Sequence, residues 1–209
     1  MPKNINLIEL ERKAYRSTFQ DGLWDMFWGL LILGFGLRPW LYELGIPGPW
    51  NTAIVMIPAP LLIVLGKKYI TIPRLGTAQF NASRRLAKSR GKLTLAISVI
   101  IPLIVILFFA ADIIKIGLGR YVVAMSAGLF LIIVLSLIAY FLDFSRLYIY
   151  AWMFAISLII AEYLSPYTGI AAARLIACGL FSIIILIIGI ALFIQFLSNT
   201  KLPREAQDE

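Results

Sequence analysis

The sequence predicts an all-α, polytopic integral membrane protein, a bundle of six transmembrane helices preceded by an amphipathic helix at the membrane surface. Hydrophobic residues make up 61% of the 209 residues and charged residues 14%, and the mean hydropathy is +0.89. Soluble domains carry roughly 45–50% apolar and about 25% charged residues. The apolar excess lies in long runs, which is typical of helices that cross a membrane.

The first 22 residues are expected to form the surface helix on the cytoplasmic leaflet. On a helical wheel the apolar and polar side chains separate into two arcs, Ile5, Ile8, Tyr15 and Phe19 against Glu9, Lys13, Arg16, Ser17 and Gln20. Such amphipathicity favours a helix lying in the plane of the interface. The alternative is a solvated tail.

Six segments are long and apolar enough to span the bilayer: 23–42, 49–66, 93–112, 121–142, 147–163 and 173–197. A span needs about 20 mostly apolar residues. These runs are expected to be helical because lipid offers no partner to unpaired backbone groups. We expect one transmembrane domain over 23–197 and a short cytoplasmic tail over 198–209.

The distribution of basic residues predicts the orientation. With six spans, fifteen of the 19 Lys and Arg residues fall on the side that holds both termini, and four fall on the other side. Cytoplasmic loops carry an excess of Lys and Arg. We therefore expect both termini in the cytoplasm, and a plasma membrane as the location.

The loop 67–92 has eight basic residues and no acidic residue. The basic cluster nearest the third span consists of Arg84, Arg85, Lys88, Arg90 and Lys92. Such clusters bind anionic lipid headgroups at about 1 kcal/mol per basic residue, and they also set orientation. Topology alone and specific recognition of lipid or a partner both remain open.

Three glycines in the first span repeat at an interval of seven residues: Gly22, Gly29 and Gly36. Seven residues make nearly two helical turns, so the three positions share one face. Small residues let helix backbones approach closely, which is a main source of association in lipid. We expect this glycine stripe to face another helix, and the bulky side chains such as Leu23 and Trp24 to meet lipid or looser packing.

Two aspartates lie at the start of the first span. We expect Asp21 at the surface and Asp25 just inside the membrane boundary, beside the glycine stripe. Ionisable residues within a membrane usually have a partner and often mark a functional site. One interpretation is that both aspartates anchor the end of the helix, paired with Arg146 or the basic loop. The other is a cation or substrate contact at a cytoplasmic vestibule.

Prolines interrupt two spans. Pro58 and Pro60 lie in the middle of the second span and Pro102 in the third, and each removes a helical hydrogen bond. A kink is expected near the centre of the second span. Broken helices at mid-depth can line a substrate site, although prolines are also simply tolerated in membrane helices.

Composition argues against catalysis. The chain has no histidine and a single cysteine, Cys178, and the predicted spans hold hydroxyls rather than charged or amide groups at mid-depth. Ion-coupled carriers and hydrolases ordinarily place ionisable groups at such sites. No metal, cofactor or nucleic-acid partner is predicted. The anionic bilayer surface is the expected partner of the net charge of +8, together with another membrane protein or a second copy of the chain.

Two function classes follow. The first is a non-catalytic subunit, scaffold or accessory factor that works through helix packing and its basic cytoplasmic surface. The alternative is a small transporter or channel for a neutral or lipid-like solute. An intramembrane enzyme is the least favoured class.

Overall fold

The computed structural model describes residues 19–75 and 120–200, and all regular secondary structure in these two ranges is helical. The helices are α1 (Leu23–Glu43), α2 (Gly48–Met56), α3 (Pro58–Gly66), α4 (Ile72–Leu75), α5 (Arg120–Leu142), α6 (Arg146–Thr168) and α7 (Ile170–Asn199), with a π-helical segment, Lys67–Thr71, between α3 and α4. The predicted third span, most of the basic loop and nearly all of the tail lie outside the described residues.

Four helical stretches of the described chain are long and apolar enough to cross a membrane: Gly48–Arg74, Val123–Tyr140, Arg146–Thr168 and Ile170–Asn199. They correspond to the second, fourth, fifth and sixth predicted spans. The all-helical class and its apolar helices are therefore confirmed, whereas the full count of six spans stays a prediction.

The first predicted span is a helix, α1, with the bounds Leu23–Glu43, but it is not among the four apolar stretches. It carries Asp25, Arg38 and Glu43, which lower its hydropathy. Helix α7 and the pair α2–α3 cover α1, as described below, so fewer of its side chains need to suit lipid. Its sequence thus fits an inner helix.

The last four residues of the predicted N-terminal surface helix are not helical. Residues 19–22 form a turn and a bend rather than a helix, because Gly22 has a left-handed backbone with φ of 73°. Glycine adopts this conformation without steric cost. The remainder of the predicted helix, residues 1–18, lies outside the described part of the chain.

The chain divides into two compact units, residues 1–78 with 160–209, and residues 79–159. In the first unit α1 runs antiparallel to α7 on one side and to the pair α2–α3 on the other. In the second unit α5 and the first part of α6 approach at Gly128, where an added methyl group would lie 3.4 Å from the Cβ of Ala155.

Helix α6 is longer than the predicted span 147–163, because it continues through Pro166 to Thr168. Proline has no N–H, so Pro166 leaves the carbonyl of Glu162 without its usual helical donor. The hydroxyl of Ser165 donates to that carbonyl at 3.1 Å. The lost backbone bond is thereby replaced, and the helix ends instead at Thr168, just before Gly169, whose φ is 85°.

Candidate functional site

The start of α1 is built around Asp21. The first N–H groups of a helix have no intrahelical acceptor, and Oδ1 of Asp21 accepts the N–H of Leu23 at 3.2 Å. The carbonyl of Gly22 accepts the N–H of Met26 at 3.0 Å and so begins the helical ladder. Negative charge is favoured at this end of a helix, which explains an acidic residue here.

Asp21 is fully buried among protein groups, and its expected depth at the membrane surface stays a prediction. Its Oδ2 accepts a hydrogen bond from Thr71 Oγ1 at 2.9 Å and lies 3.1 Å from Lys67 Nζ. A buried carboxylate needs such partners because removal from water disfavours its charge. The ammonium of Lys67 and the hydroxyl of Thr71 are the partners of the buried carboxylate. The periodicity of α1 does not reveal this contact, because both partners lie in a later segment of the chain.

The π-helical segment positions both partners of Asp21. The N–H of Ile72 bonds to the carbonyl of Lys67, which is the wider spacing of a π-helix. Lys67 and Thr71 are four residues apart, about one turn, so both side chains project from the same face. Lys67 is the first residue of the basic loop 67–92, which the sequence offered as one partner of the two aspartates, whereas Thr71 was missed. Their four-residue spacing is the feature of the sequence from which a shared face could have been predicted.

Asp25 is also fully buried. It lies next to the glycine stripe, as predicted from the helical wheel, and its main chain packs against α7. An added methyl group on Gly189 would lie 2.8 Å from the N of Met26 and 3.2 Å from the C of Asp25. The third candidate, Arg146, belongs to the second unit, where its guanidinium lies 5.3 Å from the centre of the Phe144 ring.

All three glycines of the stripe face α7. A methyl group on Gly29 would lie 2.8 Å from Cγ of Leu186, and one on Gly36 would lie 2.8 Å from Cβ of Cys178. A methyl group on Gly22 would collide with the main chain of α7 at Gly189 and Phe193. Distances this short show that the two helices pack with no room for a side chain.

The opposite face of α1 is packed as closely against the second predicted span. A methyl group on Gly34 would lie 2.5 Å from Cγ1 of Val55, and one on Gly66 would lie 2.8 Å from Cδ2 of Leu23. Leu23 is therefore buried rather than turned to lipid or loose packing, which corrects the expectation for this side chain. Gly34 lies roughly 160° around the helix from Gly36, so α1 is closely packed on two opposite faces.

The second predicted span divides at Ile57, where α2 ends at Met56 and α3 begins at Pro58. This is where the sequence placed a kink from Pro58 and Pro60. Near the other end of α2, Asn51 is buried and donates through Nδ2 to the carbonyl of Arg38 at 2.9 Å. Pro102 and its predicted kink lie outside the described residues.

Hydroxyl groups at the expected mid-depth positions bond within their own helices. Ser157 donates to the carbonyl of Phe154 at 2.7 Å and Ser182 to that of Gly179 at 2.9 Å. Both serines are fully buried. Their donors are thereby used in the helix backbone, which is the arrangement expected of packing positions.

At the end of α6, Glu162 Oε1 lies 3.7 Å from Arg174 Nη2 of α7. This pair joins the end of α6 to the start of α7. The predicted headgroup contacts Arg84, Arg85, Lys88, Arg90 and Lys92 all lie outside the described residues. Across 19–75 and 120–200 no three His, Cys, Asp or Glu side chains are grouped so that they could hold a metal ion.

Comparison of the chain with protein-family models, with curated proteins and with solved structures found no match. Its function is therefore argued from its own residues.

Proposed function

We propose that this chain is a non-catalytic multi-pass membrane protein, a subunit, scaffold or accessory factor that works through helix packing and a basic cytoplasmic surface. The observation that carries the proposal is the glycine stripe, Gly22, Gly29 and Gly36, pressed along its whole length against α7. Tight contacts on both faces of α1 suit a rigid support. They leave no space for a solute along these two interfaces.

The orientation is part of the proposal. The bias of basic residues supports termini in the cytoplasm and a plasma membrane as the location. The test uses Cys178→Ser as background, with Asn4→Cys or Ala206→Cys added. A membrane-impermeant maleimide should label both positions in inside-out vesicles and neither in intact cells. Labelling in intact cells would overturn the orientation.

Partner binding is tested by purification from native membranes in a mild detergent, followed by quantitative mass spectrometry. The wild-type chain and the matched control Gly48→Ala should retain the same stoichiometric partner, because a methyl group at Gly48 meets nothing within 4 Å. Reversal of charge at Arg84, Arg85 and Lys88 should weaken that association. The proposal would be contradicted if the wild-type chain purified alone. It would also be contradicted if charge reversal left the association with the partner unchanged.

A small transporter or channel for a neutral or lipid-like solute is the second candidate. The division of the second span at Ile57 favours it, since interrupted helices occur at transporter sites. Proteoliposomes loaded with neutral solutes of graded size would show flux under this alternative. Flux that falls in Pro58→Ala and Pro60→Ala would support the carrier and count against the scaffold.

A further inference from the structure

Arg74 joins the second predicted span to the end of α7. Its Nη1 donates to the carbonyl of Leu197 at 3.2 Å and also to that of Thr200. The last carbonyls of a helix lack intrahelical donors. In α7 the carbonyl of Phe196 accepts the N–H and the hydroxyl of Thr200, and Arg74 serves two further acceptors. A cation is favoured at this end of a helix.

The position of Arg74 in the sequence predicts that it lies at the membrane boundary. It is the last residue of the apolar stretch Gly48–Arg74 and is half-buried. On the preceding turn Lys68 and Tyr69 are exposed, with Lys68 Nζ 5.3 Å from the centre of the Tyr69 ring. Aromatic and basic side chains of this kind are enriched where a span meets the headgroups.

We propose that Arg74 is a lipid-sensitive cap, for which phosphates of anionic phospholipids compete with the carbonyls of Leu197 and Thr200. A guanidinium matches a phosphate as a planar fork, with two parallel charge-assisted hydrogen bonds. An anionic phospholipid also offers net negative charge, which the choline group of phosphatidylcholine cancels. The inner leaflet supplies anionic headgroups at this level. This inference rests on the cytoplasmic orientation given under the proposed function.

The exchange of acceptors at Arg74 affects only the end of the segment 67–75, because the start of this segment is fixed by other contacts. Lys67 and Thr71 remain bound to Asp21, so Arg74 can turn toward the headgroups while the π-helical segment stays in place. Loss of the cap frees the last turn of α7, where the N–H of Thr200 bonds to Phe196. Lipid composition would then set how firmly the end of α7 is held.

The test is hydrogen–deuterium exchange of the peptide that contains Phe196 to Thr200, with the full chain in nanodiscs. Discs of phosphatidylcholine are compared with discs that contain phosphatidylglycerol, for wild type, Arg74→Gln, Arg74→Lys and the control Lys68→Gln. Wild type should exchange roughly fivefold faster in the anionic discs, the effect of losing one hydrogen bond. Arg74→Gln should exchange fast in both discs, and Lys68→Gln should behave as wild type.

Arg74→Lys should be less sensitive to anionic lipid, because an ammonium cannot bind phosphate as a planar fork. Inorganic phosphate added to phosphatidylcholine discs should change nothing. Equal exchange of wild type in both discs would overturn the lipid-sensitive cap, and no effect of Arg74→Gln in either disc would overturn the cap itself. Both readouts come from the purified chain, so they are independent of whether a protein partner is found.

Discussion

Lys67 Nζ lies 3.1 Å from Oδ2 of Asp21, and the carboxylate is fully buried. The two residues are 46 positions apart. Their pairing connects the end of the second predicted span to the start of the first helix, at the place where the chain enters α1. It makes Asp21 a structural anchor in this arrangement.

Removal of the charge at Asp21 should destabilise the fold. Asp21→Asn keeps one oxygen that can still accept the N–H of Leu23. It replaces the oxygen that accepts from Thr71 by an amide NH2 and leaves Lys67, which is 20% exposed, without its counter-charge. We expect a loss of about 2–3 kcal/mol in the free energy of unfolding, below the usual cost for a fully buried pair. The measurement is unfolding in mixed micelles of rising dodecyl sulfate content.

A double-mutant cycle separates this pair from general damage. Asp21→Asn combined with Lys67→Met should show a coupling energy of about 0.5–3 kcal/mol. Lys68→Met is the matched control, since Lys68 is exposed on the adjacent position, and it should not couple to Asp21. Additive effects of Asp21→Asn and Lys67→Met would mean that the ion pair does not stabilise the fold.

Substitution in the glycine stripe should follow a fixed order of severity. Gly22→Ala should cost most, because the new methyl group meets main chain of α7 and φ is 73°. Gly36→Ala should come next, since the carbonyl of Arg174 lies 3.0 Å away and cannot move as a side chain does. Gly29→Ala meets the flexible Leu186 and should be mildest of the three. Overpacking of this kind costs about 1–3 kcal/mol.

Thermal aggregation followed by size-exclusion fluorescence measures that order in detergent. Gly48→Ala is the control, with a methyl group in open space, and we expect a change within about 0.5 kcal/mol. A stripe variant as stable as Gly48→Ala would show that α1 and α7 are not in close contact.

The contact of Gly34 with Val55 predicts rescue by a smaller partner. Gly34→Ala places a methyl group 2.5 Å from Cγ1 of Val55, and Val55→Ala removes that atom. The double variant should be more stable than the sum of the single losses by about 1 kcal/mol, a typical coupling between neighbours. Gly36→Ala combined with Val55→Ala should be additive, because Gly36 faces α7. Rescue in that second pair as well would contradict the two-sided packing of α1.

The ion pair of Glu162 with Arg174 should matter little. The two atoms are 3.7 Å apart and the Arg174 side chain is 44% exposed, and exposed pairs contribute about 0–1 kcal/mol. Glu162→Gln should therefore shift the free energy of unfolding by less than about 0.5 kcal/mol, measured by the same micelle titration. A larger loss would indicate that a charge network stabilises the junction of α6 and α7.

Much of the helical architecture was predictable because it depends on local sequence. Apolar runs such as 173–197 predict a helix, because unpaired backbone groups are costly in lipid. The observed helix α7, Ile170–Asn199, is only slightly longer than this run. The bounds of α6 were less predictable. Proline commonly ends a helix, so the sequence suggests that α6 stops before Pro166. The hydrogen bond from the hydroxyl of Ser165 to the carbonyl of Glu162, which replaces the lost backbone bond, is seen only in the structure.

The sequence by itself determined the membrane class, the helical runs and the face on which the three glycines lie, because each depends on composition or on the 3.6-residue period of one helix. Only the tertiary structure decided that α7 is the helix those glycines meet, that Lys67 and Thr71 bind Asp21, and that Arg74 caps α7. These contacts join residues far apart in the chain. A local period specifies which face of a helix packs, but the identity of its neighbour depends on how all the helices fit together.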